Sequence, residues 1–257
     1  MFPYRDENVT QRTPYVTVAI IVLNVAAWLF FQGAGQTRPL AESVCNRGLI
    51  AGELTGKLPP GTPFDMQNNL VCYTDEGRQP LNLLTSMFLH GSWMHLLGNM
   101  WFFWIFGNNI EDSMGHVRFI VFYLLAGLAA ALVQVFTNPS SPVPIVGASG
   151  AISGIMGAYL VLFPHVRVFA LLPLGFFTTT VALPAWAMLG YWMLIQFVGG
   201  LQSTSGGGGV AFWAHVGGFL TGVILIKLFA RRNYVQEHKG HWQPRRVGWR
   251  RSADDEW

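Results

Sequence analysis

RFIVFYLLAGLAAALVQVFT, residues 118–137, carries a single charge, Arg118, at its very start. A helix that crosses a bilayer needs about 20 mostly apolar residues, and this run supplies them without an internal ion. Comparable runs flank it at 15–33, 85–107 and 145–163, and another at 209–229. Between the last two lies an apolar stretch from Val168 to Leu201, interrupted by Pro173 and Pro184. It is too long for one untilted span. We read it as a short hydrophobic segment near the inner surface followed by a span at 181–200. The expected fold is therefore an all-α, polytopic membrane bundle of six helices.

The composition points the same way. Of 257 residues, 51% are apolar and 11% are charged, against roughly 25% charged in a soluble domain. The first run has polar and charged residues before it and no small-residue cleavage site after it, so a retained span is expected rather than a removable signal. With the N-terminus in the cytoplasm, the inner segments hold twelve of the 16 Lys and Arg residues and the outer ones hold only Arg38, Arg47, Lys57 and Arg78. The positive-inside rule then places both termini in the cytoplasm, which suits a cell membrane. The expected parts are a cytoplasmic segment 1–14, a membrane domain 15–230 containing an extracytoplasmic loop 34–84, and a basic cytoplasmic tail 231–257. Basic residues around Arg245–Arg251 are read as an anchor on anionic lipid headgroups rather than a nucleic-acid site. Ser203–Gly209 is read as a flexible connector.

Cys45 and Cys72 both fall in the long loop, on the face where disulfides persist. A bridge between them is one expectation and two unrelated thiols the other, because spacing alone fixes no geometry.

Strongly polar groups inside spans are costly and mark candidate sites. Span two carries His90, His95 and Asn99; span four opens with Gly147-Ala148-Ser149-Gly150; span six carries His215. All three spans enter from the outer face, so His95, Ser149 and His215 share one depth. The chemistry fits acyl transfer. A serine hydroxyl needs a base, usually histidine, to take its proton. A helix N-terminus beside Ser149 offers free N–H groups to an oxyanion. Asn99, four residues after His95, shares its helix face and can add another donor. Gly218 and Gly222 follow His215 on one face, and Gly150 and Gly154 form a matching pair after Ser149. Such spacing lets membrane helices approach closely. Glu111 and Asp112 lie at the wrong end, so a dyad is expected rather than a triad, unless Asp75 or Glu76 folds back. His90 is read as structural. Its i, i+5 spacing from His95 does not match the i, i+4 pair of a zinc helix, and no metal is expected.

These segments resemble the rhomboid family of intramembrane serine proteases. The matching residues are His90-Gly-Ser-Trp-Met-His95-Leu-Leu-Gly-Asn99, Gly147-Ala-Ser149-Gly150 and Ala214-His215-Val-Gly-Gly218-Phe-Leu-Thr-Gly222. The resemblance implies Ser149 as nucleophile, His215 as base, and His95, Asn99 and the Ser149 amide as the oxyanion hole. It also implies transmembrane protein substrates, no cofactor, and span five as a mobile lateral gate. Two departures stand out. Leu81-Asn82 occupies the place of a Trp-Arg pair found in many members, and Ser153 replaces a tyrosine that stacks on the histidine. Two other readings compete: a catalytically silent family-like binding protein, and a transporter using its histidines as a proton relay.

Overall fold

The computed structural model describes residues 2–66, 70–174, 177–203 and 210–241. Strand β1 (Phe2–Asp6) precedes helix α1 (Tyr15–Ala26), which continues as a π turn through Ala27–Phe31. The long loop holds helix α2 (Thr37–Arg47), strand β2 (Leu49–Ile50), helix α3 (Ala51–Thr55), the hairpin of β3 (Pro63–Met66) and β4 (Leu70–Tyr73), and helix α4 (Asn82–Thr85). Helices α5 (Trp93–Met114) and α6 (His116–Thr137) follow, joined only by Gly115. Strand β5 (Pro144–Ile145) leads into helix α7 (Ser149–Leu162). Strands β6 (Arg167–Leu174) and β7 (Phe177–Pro184) lead to helices α8 (Ala185–Gln202), α9 (Phe212–Phe229) and α10 (Arg232–His241).

The protein is mostly helical. Six apolar helices, α1 with its π turn and α5 to α9, form the bundle. Of these, α6 and α9 have the length and composition to cross a membrane, while Tyr15–Phe31 and α7 are shorter apolar helices. Large apolar side chains such as Phe30, Phe136, Leu194, Ile224 and Leu228 point outward and are more than half exposed. Outward-facing side chains of this kind suit a surface that meets lipid rather than water.

At the centre stands α7, whose residues from Ala151 to Tyr159 are all buried. It touches α9 backbone to backbone. A β-carbon on Gly218 would collide with the Gly150 carbonyl, and one on Gly222 with the Gly154 carbonyl. The small face of α6 closes the third side, since a β-carbon on Gly154 would stand 2.6 Å from that of Ala126. Close approach of this kind replaces the hydrophobic drive that is missing between helices in lipid.

Three regions differ from the sequence reading. The apolar stretch after residue 166 contains an antiparallel hairpin, with Arg167 opposite Pro184 and Leu174 opposite Phe177. Pro173 cannot sit inside a helix, and Thr178-Thr179-Thr180-Val181 is a β-branched run suited to a strand. The N-terminal segment is not a plain tail either, because β1 pairs with β6 to make a three-stranded sheet. Helix α5 also starts later than the apolar pattern suggests. Ser92 caps it, accepting from the His95 N–H at 3.1 Å, so residues 82–92 form two short turns and an extended piece before it.

The far end of α5 is tied down by its two carboxylates, both 1% exposed. Glu111 accepts from the Val16 and Thr17 N–H groups at 2.9 and 2.7 Å, and from the Thr17 hydroxyl at 2.7 Å. It thereby caps α1, placing negative charge at the positive end of the helix dipole. Asp112 accepts from the Gln11 and Arg12 N–H groups at 2.8 and 3.1 Å and from the Arg12 guanidinium at 3.0 Å. The oxygen that accepts from Gln11, Oδ2, also stands 2.9 Å from Nδ1 of His238 on α10. The basic residues Arg245, Arg246, Arg250 and Arg251, and most of the glycine connector, lie outside the described residues.

Candidate active site

At the opposite end from Glu111, the first residues of α5, α7 and α9 meet. Ser149 is the first residue of α7, so its N–H and that of Gly150 fall in the turn that has no acceptor inside the helix. Its Oγ stands 2.7 Å from Nε2 of His215, in the first turn of α9. Gln134 of α6 holds that turn in place by accepting from the Ala214 N–H at 3.1 Å. A cavity of about 730 Å³ opens over the pair, lined among others by Met94, His95, Asn99, Gly147, Ser149 and His215.

The loop before Ser149 is fixed from two sides. Strand β5 pairs with β2, Leu49 opposite Ile145, and the Gly147 N–H donates to the Ser86 carbonyl at 2.9 Å. Gly147 has φ +127°, and a β-carbon there would stand 2.8 Å from Nε2 of His95. Both conditions require glycine. The missing side chain is what lets the His95 ring lie against the backbone two residues before Ser149.

Asn99 is buried, and its Nδ2 lies 2.9 Å from Nε2 of His90. One amide hydrogen is directed at His90, which leaves the other free to face the cavity. His90 is held in turn by Gln32, fully buried at the end of the π turn. Gln32 donates to the His90 carbonyl at 2.7 Å and accepts from its N–H at 2.8 Å. His90 thus sits one shell behind the cavity, supporting Asn99.

Two side chains on α8 complete the surroundings of His215, and neither was singled out from the sequence. Gln196 places its Oε1 2.7 Å from Nδ1 of His215, and the Trp192 ring lies 5.7 Å from the imidazole, centroid to centroid. A polar Gln in an otherwise apolar helix was the available signal. Ser153, at the position where some family members carry a stacking tyrosine, is buried and donates to the Ser149 carbonyl at 2.6 Å. Asn82, in the place of the Trp-Arg pair, is buried and donates to the Gly48 carbonyl at 3.0 Å, so the loop is anchored by another device. Asp75 is held away, its N–H donating to Glu53 at 2.8 Å, and neither it nor Glu76 lines the cavity. Cys45 and Cys72 are joined, with Cα atoms 5.8 Å apart.

A helical membrane protein with a serine–histidine contact at the mouths of its inner helices is the class these features define. The Rhomboid domain model matches residues 77–232, more than half of the chain, and the chain belongs to that family. It is similar to the chloroplastic Rhomboid-like protein 11 of Arabidopsis thaliana, 31% identical over 155 residues, which are 58% of this chain and 52% of that one. It is also similar to the mitochondrial Rhomboid protein 1 of Saccharomyces cerevisiae, 26% identical over 166 residues, covering 62% and 44%. Rhomboid protease GluP of Bacillus subtilis is 38% identical over 95 residues, covering 37% and 17%. The chain spans about half the length of the first two relatives.

Proposed function

We propose that this protein is an intramembrane serine endopeptidase that hydrolyses peptide bonds in or near the transmembrane segments of other membrane proteins. The observation that carries this reading is the 2.7 Å contact between Ser149 Oγ and His215 Nε2 at the N-terminus of α7. Its support from relatives is that GluP and the Rhomboid-like protease 5 of Toxoplasma gondii are named as proteases.

In the first step His215 Nε2 takes the Ser149 proton while Oγ attacks the scissile carbonyl carbon. The carbonyl π electrons move to oxygen, and that oxyanion is met by the Ser149 N–H, His95 and Asn99. When the tetrahedral adduct collapses, the C–N bond breaks and His215 returns its proton to the leaving amine. Water then repeats the sequence on the acyl-serine, releasing the acid and restoring the hydroxyl. No cofactor and no metal enters these steps. The bilayer and single-span proteins within it are the partners this chemistry calls for, and nucleic acid is not among them.

The wider organisation follows from charge. Residues 1–14 and 231–257 face the cytoplasm, 15–230 form the membrane domain, and the site opens outward. A cell membrane fits a chain oriented in this way, although two relatives carry chloroplastic and mitochondrial names.

The test is cleavage of a model single-span protein by purified enzyme, run beside Ser149→Ala and His215→Ala. Both variants are expected to lose at least about a hundredfold in rate. Cleavage that survives Ser149→Ala overturns the nucleophile, and a wild-type protein inert toward several substrates favours a silent binding protein.

A further inference from the structure

We propose that Gln196 and Trp192 of α8 are positioning residues for His215, with the neutral Gln196 amide in the place where many serine hydrolases use a carboxylate. This rests on the reading of Ser149 and His215 as nucleophile and base, and adds a third member to the pair.

The argument starts from proton placement. For the Ser149 hydroxyl to donate to Nε2, that nitrogen must be bare, and the ring proton must then sit on Nδ1. Nδ1 faces the Gln196 Oε1 at 2.7 Å. A carbonyl oxygen can only accept, so its presence there selects the tautomer in which His215 works as a base. The same contact fixes the rotation of the ring. An acidic partner would do this too, but Gln196 is 8% exposed in an apolar helix. An ion in that setting carries a heavy desolvation cost that an amide avoids.

Trp192 supplies the second restraint. It is four residues before Gln196 and so one turn away on the same face. Its ring lies 5.7 Å from His215 at 38° and 6.3 Å from Phe219, the residue one turn further along α9. The indole therefore spans His215 and Phe219 and limits tilting of the imidazole. Ser153 has no ring to offer, and its hydroxyl is engaged with the Ser149 carbonyl. Stacking that one helix does not provide is supplied by another.

The division of labour has a consequence. His215 rides on α9, which contacts α7 through backbone. Its orienting groups ride on α8, which meets α9 through side chains, the Phe212 and Trp213 rings lying over Gly199 and Gly200. The serine–histidine distance and the tautomer are thus set by different helix pairs.

Three proteins test this: wild type, Gln196→Leu, which keeps the volume without an acceptor, and Gln196→Glu, which keeps the acceptor. The readouts are the rate of Ser149 modification by a fluorophosphonate across pH, and the ¹⁵N shifts of His215 in detergent micelles. Gln196→Leu is expected to slow modification by about 10- to 100-fold, the worth of one hydrogen bond to a group that becomes charged. Its His215 shifts move from the Nδ1–H tautomer toward a mixture. Gln196→Glu is expected to recover the rate and to move the midpoint of the pH profile upward, because a carboxylate favours the imidazolium. Wild-type rate, an unmoved midpoint and a retained Nδ1–H tautomer in Gln196→Leu overturn the proposal while leaving the protease reading intact. A wild type that is never modified overturns the protease reading, and the tautomer comparison then still decides the role of Gln196. Should Gln196→Leu fail to fold, the Gln196→Glu midpoint decides alone: an upward shift supports the contact and no shift removes it.

Discussion

Gly222 of α9 lies against the carbonyl oxygen of Gly154 in α7 with no space for a β-carbon between them. One turn earlier Gly218 meets Gly150 in the same way. These contacts set the separation of the two helices that carry Ser149 and His215. A Gly222→Leu variant must spread α7 from α9, and misplacing a catalytic contact by about 1 Å costs about a hundredfold in rate. Its overpacked interface should also lose about 1–3 kcal/mol. Thermal melting in detergent together with fluorophosphonate labelling checks both, and wild-type values in each would show the contact to be dispensable.

Glu111 is a buried carboxylate that accepts from the first N–H groups of α1 and from the Thr17 hydroxyl, and stands 2.6 Å from Nδ1 of His116. Glu111→Ala leaves those donors unpaired in an apolar setting, and a lost cap with a charged acceptor costs about 2 kcal/mol. The expected result is a lower melting temperature with near-normal labelling of Ser149 in the protein that remains folded, because the site lies at the other end of the bundle. Loss of labelling at an unchanged melting temperature would contradict that separation.

Asp6 gives a pH dependence of known sign. Burial raises its pKa from 3.8 to about 7, opposed by the Tyr159 hydroxyl, the local backbone and His238. Tyr159 and Asn109 both donate to its Oδ2, at 2.5 and 2.9 Å. The folded state therefore holds the proton more tightly than the unfolded chain. The stability from this group is fully present below pH 3.8 and is lost as pH rises to about 7. The change amounts to about 1.4 kcal/mol per pH unit at most. Comparing melting curves of wild type and Asp6→Asn between pH 4 and pH 7 isolates it, since the amide does not titrate. Equal pH slopes in the two proteins would count against a protonated, half-buried Asp6.

Cys45 and Cys72 tie α2 to β4 across a sequence separation of 27. Unreduced protein should show no free thiol, and two after reduction. A bridge closing a loop of this size contributes about 2–4 kcal/mol to the part it ties. The Cys45→Ala/Cys72→Ala double variant should be cut by protease in the loop before the helices give way. Two free thiols in protein purified without reductant would refute the bridge.

The parts of this fold that were legible share a property: they repeat along one dimension. Long apolar runs such as 118–137 and the glycine spacing on 147–154 and 215–222 can be read without knowing what lies opposite. What stayed hidden depends on a partner. Gln196, Gln134 and Gln32 are single amides whose roles appear only when His215, Ala214 and His90 are set beside them. The polar residues singled out inside the spans were His90, His95, Asn99, Ser149 and His215, and none of these three glutamines was among them. The hairpin of β6 and β7 was masked by its hydrophobicity, though its prolines and threonines argued against a helix. Glu111 and Asp112 were set apart from the proposed chemistry, but that they hold the N-terminal segment could not be seen until Thr17 and Arg12 were placed.

In the proposed mechanism Ser149 is a nucleophile activated by His215. Intact-mass and peptide mass spectrometry after treatment with a fluorophosphonate tests it most directly. One adduct located on Ser149 in wild type, absent in Ser149→Ala and strongly slowed in His215→Ala, is the predicted result. An adduct on another residue, or equal modification of the His215→Ala protein, would contradict it.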